Sequence, residues 1–273
     1  MAQDTGYRVD GDLYQNILTA LRQSSKPLDA LTVEDLAPVD HFHARGFPAT
    51  VELADRLRVQ PRHCLVDIGC GLGGPARYMA KRFGCRVCGV DITEAFVRTG
   101  RQLTALLHME EQVQIEQGDA LALPYADGTF DGGYSQHVTM NIADRARFFE
   151  EAARVLKPGA FFALTEHGLG AKGEPLYPVP WSADGSNSYL VSVEATRRFA
   201  FDAGFELIEI VEMAESYLAG YRKGLQQPEA ERPPLGTHLL LGANARERSS
   251  NAMRNIEEGR TRPFQLVCRK RTR

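Results

Sequence analysis

Three acidic residues stand at the ends of consecutive apolar runs, and a glycine-rich turn lies beside the first of them. Asp67 precedes Gly69, Gly71, Gly73 and Gly74 in "LVDIGCGLGG", Asp91 closes "CGVD" 24 residues later, and Asp119 opens "DALALP". Gly69, Gly71 and Gly74 satisfy the G-x-G-x-x-G spacing that admits a dinucleotide pyrophosphate to a helix N-terminus. A carboxylate at Asp67 would then sit a few ångströms from two phosphate charges, which costs on the order of several kcal/mol in a partly dry site. A cationic ligand reverses that sign. S-adenosylmethionine carries an ammonium and a sulfonium, lacks phosphate, and still needs close backbone approach, so Asp67 argues for it over NAD. Asp91 can then accept from both ribose hydroxyls, and Asp119 can receive the adenine amino group.

Polar residues at strand ends come next. "YSQHVTMN" holds Gln136, His137 and Asn141, with His137 a candidate general base or acceptor-orienting group. Glu166 and His167 end "LTEHG", where either can meet an acceptor, and Glu166 is taken as a catalytic candidate. Trp181 in "YPVPWSADG", Tyr217 and Tyr221 in "ESYLAGY", and His238 in "PPLGTHLLLG" are expected to wall an acceptor pocket, with Asn255 a further candidate. The two tyrosines, four apart, share one helical face. The two histidines of "HFH", His41 and His43, are expected to face opposite ways on an extended segment, so no metal is expected. Cys85 and Cys88 match C-x-x-C but lie in a strand-like run, where residues three apart point to opposite faces. They are read as structural thiols.

The elements that must position these groups follow from periodicity. From Cys64 onward, short apolar runs alternate with longer helical patterns, a βαβα rhythm that implies an α/β fold with a mostly parallel sheet covered on both faces. Right-handed crossovers place the loops after the strands along one edge, where ligands bind. Residues 1–60 read as a helical segment covering the cofactor site, and 61–273 as the core, with cap insertions at about 168–190 and 215–262 that include the turn "QQPEAERPPLG". Net charge is −3, which offers no nucleic-acid footprint, and the basic end "CRKRTR" is read as a solvated tail. The N-terminal residues carry no secretory pattern and no run approaches the length of a membrane span. The expectation is a cytoplasmic protein acting on a small molecule, without nucleic acid or membrane, alone or as a homodimer.

"LVDIGCGLGG", "GVDIT", "GDALALP", "FDGGYSQHVTMNI" and "RVLKPGAFFAL" together resemble the class I S-adenosylmethionine-dependent methyltransferases over about residues 64–167. The similarity is greatest to small-molecule enzymes of the sarcosine/dimethylglycine and ubiquinone-biosynthesis type. The resemblance implies a Rossmann-like seven-stranded sheet with an antiparallel last strand and a helical cap. It also implies cofactor contacts from Asp67, Gly69, Gly71, Asp91, Ile92, Asp119, Ala120 and Gln136. "DHFHARGFPAT" resembles the segment that closes over the methionine end of the cofactor, through His43, Arg45 and Gly46, and His43 joins His137 and Glu166 as a catalytic candidate. The expected reaction is in-line methyl transfer to an N or O nucleophile. The alternatives are C-methylation of a quinone- or sterol-like acceptor, a non-catalytic S-adenosylmethionine-binding protein, and the disfavoured NAD dehydrogenase.

Overall fold

The computed structural model describes residues 11–23, 26–228, 231–241 and 244–272. Residues 1–10 of the expected N-terminal segment, and 229 and 230 of the expected turn, lie outside the described residues. Seven strands form one sheet in the order β3-β2-β1-β4-β5-β7-β6. β1 is Cys64–Ile68, β2 Arg86–Asp91, β3 Val113–Gln117, β4 Phe130–Gln136, β5 Leu156–Leu169, β6 Phe205–Glu212 and β7 Thr261–Lys270. β1 to β5 pair in parallel, and β7 runs antiparallel to both β5 and β6, as the expected topology requires.

Successive strand residues feed opposite faces, so the inner strands supply apolar side chains to both sides of the sheet. On one face Leu65, Val87, Ile115 and Ala163 pack beneath α3 (Phe47–Arg56), α4 (Gly74–Phe83) and α5 (Glu94–Leu106). On the other, Val66, Val90, Phe162 and Leu164 pack beneath α6 (Arg145–Val155) and α7 (Val193–Asp202). The helix starts follow from local chemistry: Asp144 and Ser192 accept from the backbone N–H three residues on, satisfying groups the helix itself leaves open.

By their breaker chemistry Lys157-Pro158-Gly159 would end α6 and let the next strand begin after them. In the structure β5 already begins at Leu156, pairs there with Phe130, and shifts register before Phe161 pairs with Gly132. The Pro-Gly pair therefore sits in an irregularity of the strand, where no ladder bond depends on Pro158.

Two helical regions cover the ligand edge. α1 (Leu13–Arg22) and α2 (Val33–Asp40) pack Ile17, Leu21, Leu36 and Val39 against Leu72 and against Phe96 and Leu103 of α5. α9 (His238–Leu241) adds Leu240 to this same cluster, and from the other side come α8 (Ala214–Gln226) and α10 (Ala245–Glu257), with Tyr217 and Ile256 packed together. No helix among the described residues is long and apolar enough to cross a membrane. The five cysteines are free thiols.

Candidate active site

One cavity of about 410 Å³ opens at the C-terminal edge of β1, β2, β4 and β5. At its glycine-rich side, Gly71 N–H donates to Asp91 Oδ2 at 2.9 Å, and Thr93 N–H donates to Asp91 Oδ1 at 2.9 Å. Two backbone donors thus orient the Asp91 carboxylate at the strand end. Asp119 is exposed and accepts from Leu121 N–H at 2.8 Å, which shapes the turn after β3 and leaves Oδ2 open to the cavity edge. Gly69 and Gly71 have φ of 79° and 54°, which L side chains rarely adopt. A Cβ at Gly69 would meet Val138 Cγ2 at 2.2 Å, and one at Gly71 would meet the Phe42 ring at 2.6 Å. The glycines thus serve the close approach of the chain's own wall as well as that of a ligand.

Asp67 is 1% exposed, and its Oδ2 has no hydrogen-bond partner among the described residues. Burial pushes its pKa up to about 8, with the neighbouring Asp91 charge adding to the rise and the Tyr134 hydroxyl opposing it. Gln136 Nε2 is likewise buried without a partner, while its Oε1 accepts from Thr50 Oγ1 at 3.2 Å. A carboxylate and an amide are therefore left open beside the glycine loop, a complement to a ligand carrying a cation and a hydrogen-bond acceptor.

The far side of the cavity is aromatic. The His43 and His137 rings stack at 5.7 Å with planes 4° apart, and His167 stands edge-on to His137 at 5.6 Å. His167 stacks on Trp181 at 4.7 Å. His137 is held in the left-handed region at φ 59°, where its backbone N–H donates to Thr165 O at 2.7 Å. That conformation is uncommon for a side-chain-bearing residue and fixes the ring over the cavity. His137 Nε2 lies 2.8 Å from Tyr217 Oη. Burial drives the pKa of His137 well below 6.5, that of His43 to about 4 and that of His167 to about 3, so all three rings are neutral at pH 7.

Asp67, Gly69, Gly71, Asp91, Ile92, Asp119, Ala120, Gln136, His43, His137, Asn141, Trp181 and Tyr221 all line this cavity. Six expected residues do not. Glu166 is fully buried on the opposite face of β5, with Arg145 at 2.9 Å from both its oxygens and Thr196 at 3.4 Å. Alternation along the strand sends His167 into the cavity and its neighbour Glu166 away from it. Arg45 is turned to Glu52, and Gly46 begins α3, so neither forms the wall. Tyr217 stands behind His137 rather than in the wall. His238 belongs to α9, which packs against α1, and it is not part of the wall. Asn255 is used structurally, accepting from Leu176 N–H and donating to Leu176 O. Asn141 Nδ2 likewise donates to the carbonyls of Trp181 and Asn187, holding the Trp181 loop in place.

The expectation for "HFH" is also corrected. His41 Nδ1 lies 2.9 Å and His43 Nε2 3.1 Å from the same Thr50 hydroxyl, so the bend after α2 turns both rings to one side. No group of three or more His, Cys, Asp or Glu among the described residues is placed to hold a metal ion. Phe42, Phe96, Met140 and Tyr189 complete the wall and went unread. Only the spacing of Phe42 beside His43 offered a signal. Tyr189 arrives through an irregular loop without periodicity.

Residues 66–164 match the family described as Methyltransferase domain. Methyltransferase phqN of Penicillium fellutanum is 36% identical over 127 residues, 46% of this chain and 39% of that protein. The chain spans less than half the length of the first curated relatives it matches. Relatives of similar identity are named as N-, O- and C-methyltransferases. Among solved structures, Haemonchus contortus phosphoethanolamine N-methyltransferase 2, in complex with phosphomonomethylethanolamine and S-adenosylhomocysteine, superposes with a TM-score of 0.74 at 19% identity, covering 85% of this chain and 55% of that one. The [4+2]-cyclase SpnF superposes at 0.69 with 19% identity and 96% of each chain, so the fold alone does not name a reaction.

Proposed function

We propose, from the match of residues 66–164 to the family described as Methyltransferase domain, that the chain transfers a methyl group from S-adenosylmethionine to an N or O nucleophile of a small molecule by in-line displacement. One observation carries the reading: the buried carboxylate of Asp67, whose Oδ2 has no hydrogen-bond partner among the described residues, lines the same cavity as the His43, His137 and His167 rings. The donor set fits the cofactor. Asp67, Gly69, Gly71 and Gln136 would hold its amino-acid end, Asp91 and Ile92 the ribose, and Asp119 and Ala120 the adenine. When bound, it supplies an activated methyl on a sulfonium. Five unbridged cysteines are in keeping with a reducing compartment, which supports a cytoplasmic location.

The protein then has to align a nucleophile, exclude water and receive a proton. His137 suits the last task. With Nε2–H donating to the Tyr217 oxygen, Nδ1 presents a lone pair to the cavity. A hydroxyl that has gained a methyl is an oxonium, a strong acid, so even an imidazole of depressed pKa accepts its proton, whereas an amine has only to arrive neutral, and its methylated ammonium leaves still protonated. His43, stacked on His137, limits how far that ring can turn.

Calorimetry with S-adenosylmethionine and with NAD tests the cofactor, and binding of NAD alone would sink the reading. A panel of amines and phenols with methyl-labelled cofactor tests transfer. His137→Ala is expected to retain cofactor affinity and lower turnover at least tenfold, about 1.4 kcal/mol of barrier. Unchanged turnover would remove His137 from the mechanism.

A further inference from the structure

The cavity has two chemically distinct ends. Its cofactor side carries Asp67, Asp91 and Asp119, and its far side is walled by His43, His137, His167, Trp181, Tyr189 and Tyr221. Among the described residues no lysine or arginine lines it. Three arginines stand behind the walls, and each is paired with a carboxylate: Arg45 with Glu52, Arg77 with Asp40, and Arg145 with Glu166. The last two pairs are almost fully buried, which holds those guanidinium groups away from a ligand.

His167 is the open polar group of this far side. Its Nδ1 is buried without a hydrogen-bond partner, and its Nε2 lies 3.5 Å from Tyr221 Oη. A buried ring nitrogen left unpaired loses its hydration with nothing to replace it, unless a ligand supplies the partner. The indole of Trp181 cannot compete for it, since Nε1–H donates to Ser188 Oγ at 3.0 Å.

We propose that the methyl acceptor is a ring-bearing, non-anionic molecule, a phenol or aromatic amine by class, that packs among Trp181, Tyr189 and Tyr221 and hydrogen-bonds to His167 Nδ1. The inference rests on the methyltransferase reading of the cavity and adds its acceptor class. A phosphate or carboxylate entering here would give up its water with no cation to meet it and several aspartates facing it. Flat, apolar faces with one polar contact instead favour a flat, uncharged body. His167 is thereby assigned as a specificity-determining residue, distinct from His137, which receives the proton.

Binding of S-adenosylhomocysteine to the full chain is measured first by calorimetry, and its failure overturns the methyltransferase reading itself. The loaded protein is then titrated with 2-naphthol, 2-naphthyl phosphate and 2-naphthoate, which share one ring system. Naphthol is expected to bind at least tenfold more tightly than either anion. Equal or tighter binding of an anion, or no binding of naphthol to the loaded protein, overturns the acceptor class. In His167→Phe, naphthol affinity is expected to fall at least tenfold while S-adenosylhomocysteine affinity stays within twofold. An undiminished naphthol affinity removes His167 from the contact.

Discussion

Asp67 shows how one side chain can carry a functional signal. Its ionised form is costly in a dry pocket where Oδ2 finds no partner among the described residues, and the protonated form is correspondingly favoured, with a pKa of about 8. A cationic ligand needs the ionised form. Affinity for S-adenosylmethionine is therefore expected to rise about tenfold per pH unit between pH 6 and 8 and to level off above. Calorimetry at three pH values checks this, and in Asp67→Asn the dependence should disappear along with most of the affinity. Glu166 is the opposite case: the same residue type, equally buried, but satisfied by Arg145 and Thr196. Glu166→Gln leaves a buried guanidinium uncompensated, so a loss of about 3 kcal/mol in urea-unfolding stability is expected, with the cofactor affinity of the folded protein unchanged. Nothing in "LTEHG" separates Glu166 from Asp67 by type. The separation comes from which face of the strand each occupies.

At the level of elements, the strand ends and the glycine turn were legible because both are local. A strand alternates every residue, a helix turns every 3.6, and glycine at positive φ marks a turn wherever it falls. At "HFH" the bend after α2 turns His41 and His43 to one side, where Thr50 binds both. The glycine turn and the wall elements constrain each other through Gly69 and Val138. A methyl at position 69 would lie 2.2 Å from Val138 Cγ2 on backbone at φ 79°. Gly69→Ala should cost at least 1–2 kcal/mol of thermal stability from the left-handed backbone alone, and weaken cofactor binding by displacing Val138. A variant with parental melting temperature and affinity would show that the turn tolerates a Cβ.

For the molecule as a whole, enclosing four histidines beneath the α1–α3 layer and the C-terminal cap has a pH consequence. His167 has a folded pKa near 3, below the unfolded value of about 6.5. The unfolded chain thus binds a proton there that the folded one does not, and the stability tied to this residue is present above pH 6.5 and lost as pH falls toward 3. The stability difference between the parent and His167→Phe is expected to shift by about 1.4 kcal/mol per pH unit below 6.5, in favour of the variant. Urea titrations at pH 5 and 7 measure it. Residue order along the chain was enough to establish the α/β rhythm, the sheet edge at which the cavity opens, and the acidic and glycine positions that line it, since each depends on neighbours a few residues away. Only the tertiary structure decided the aromatic side of the cavity. Tyr217 meets His137 across 80 residues, Trp181 reaches His167 through an irregular loop, and His238 is carried elsewhere, because loop paths and cap packing bring distant side chains together without leaving a periodic trace.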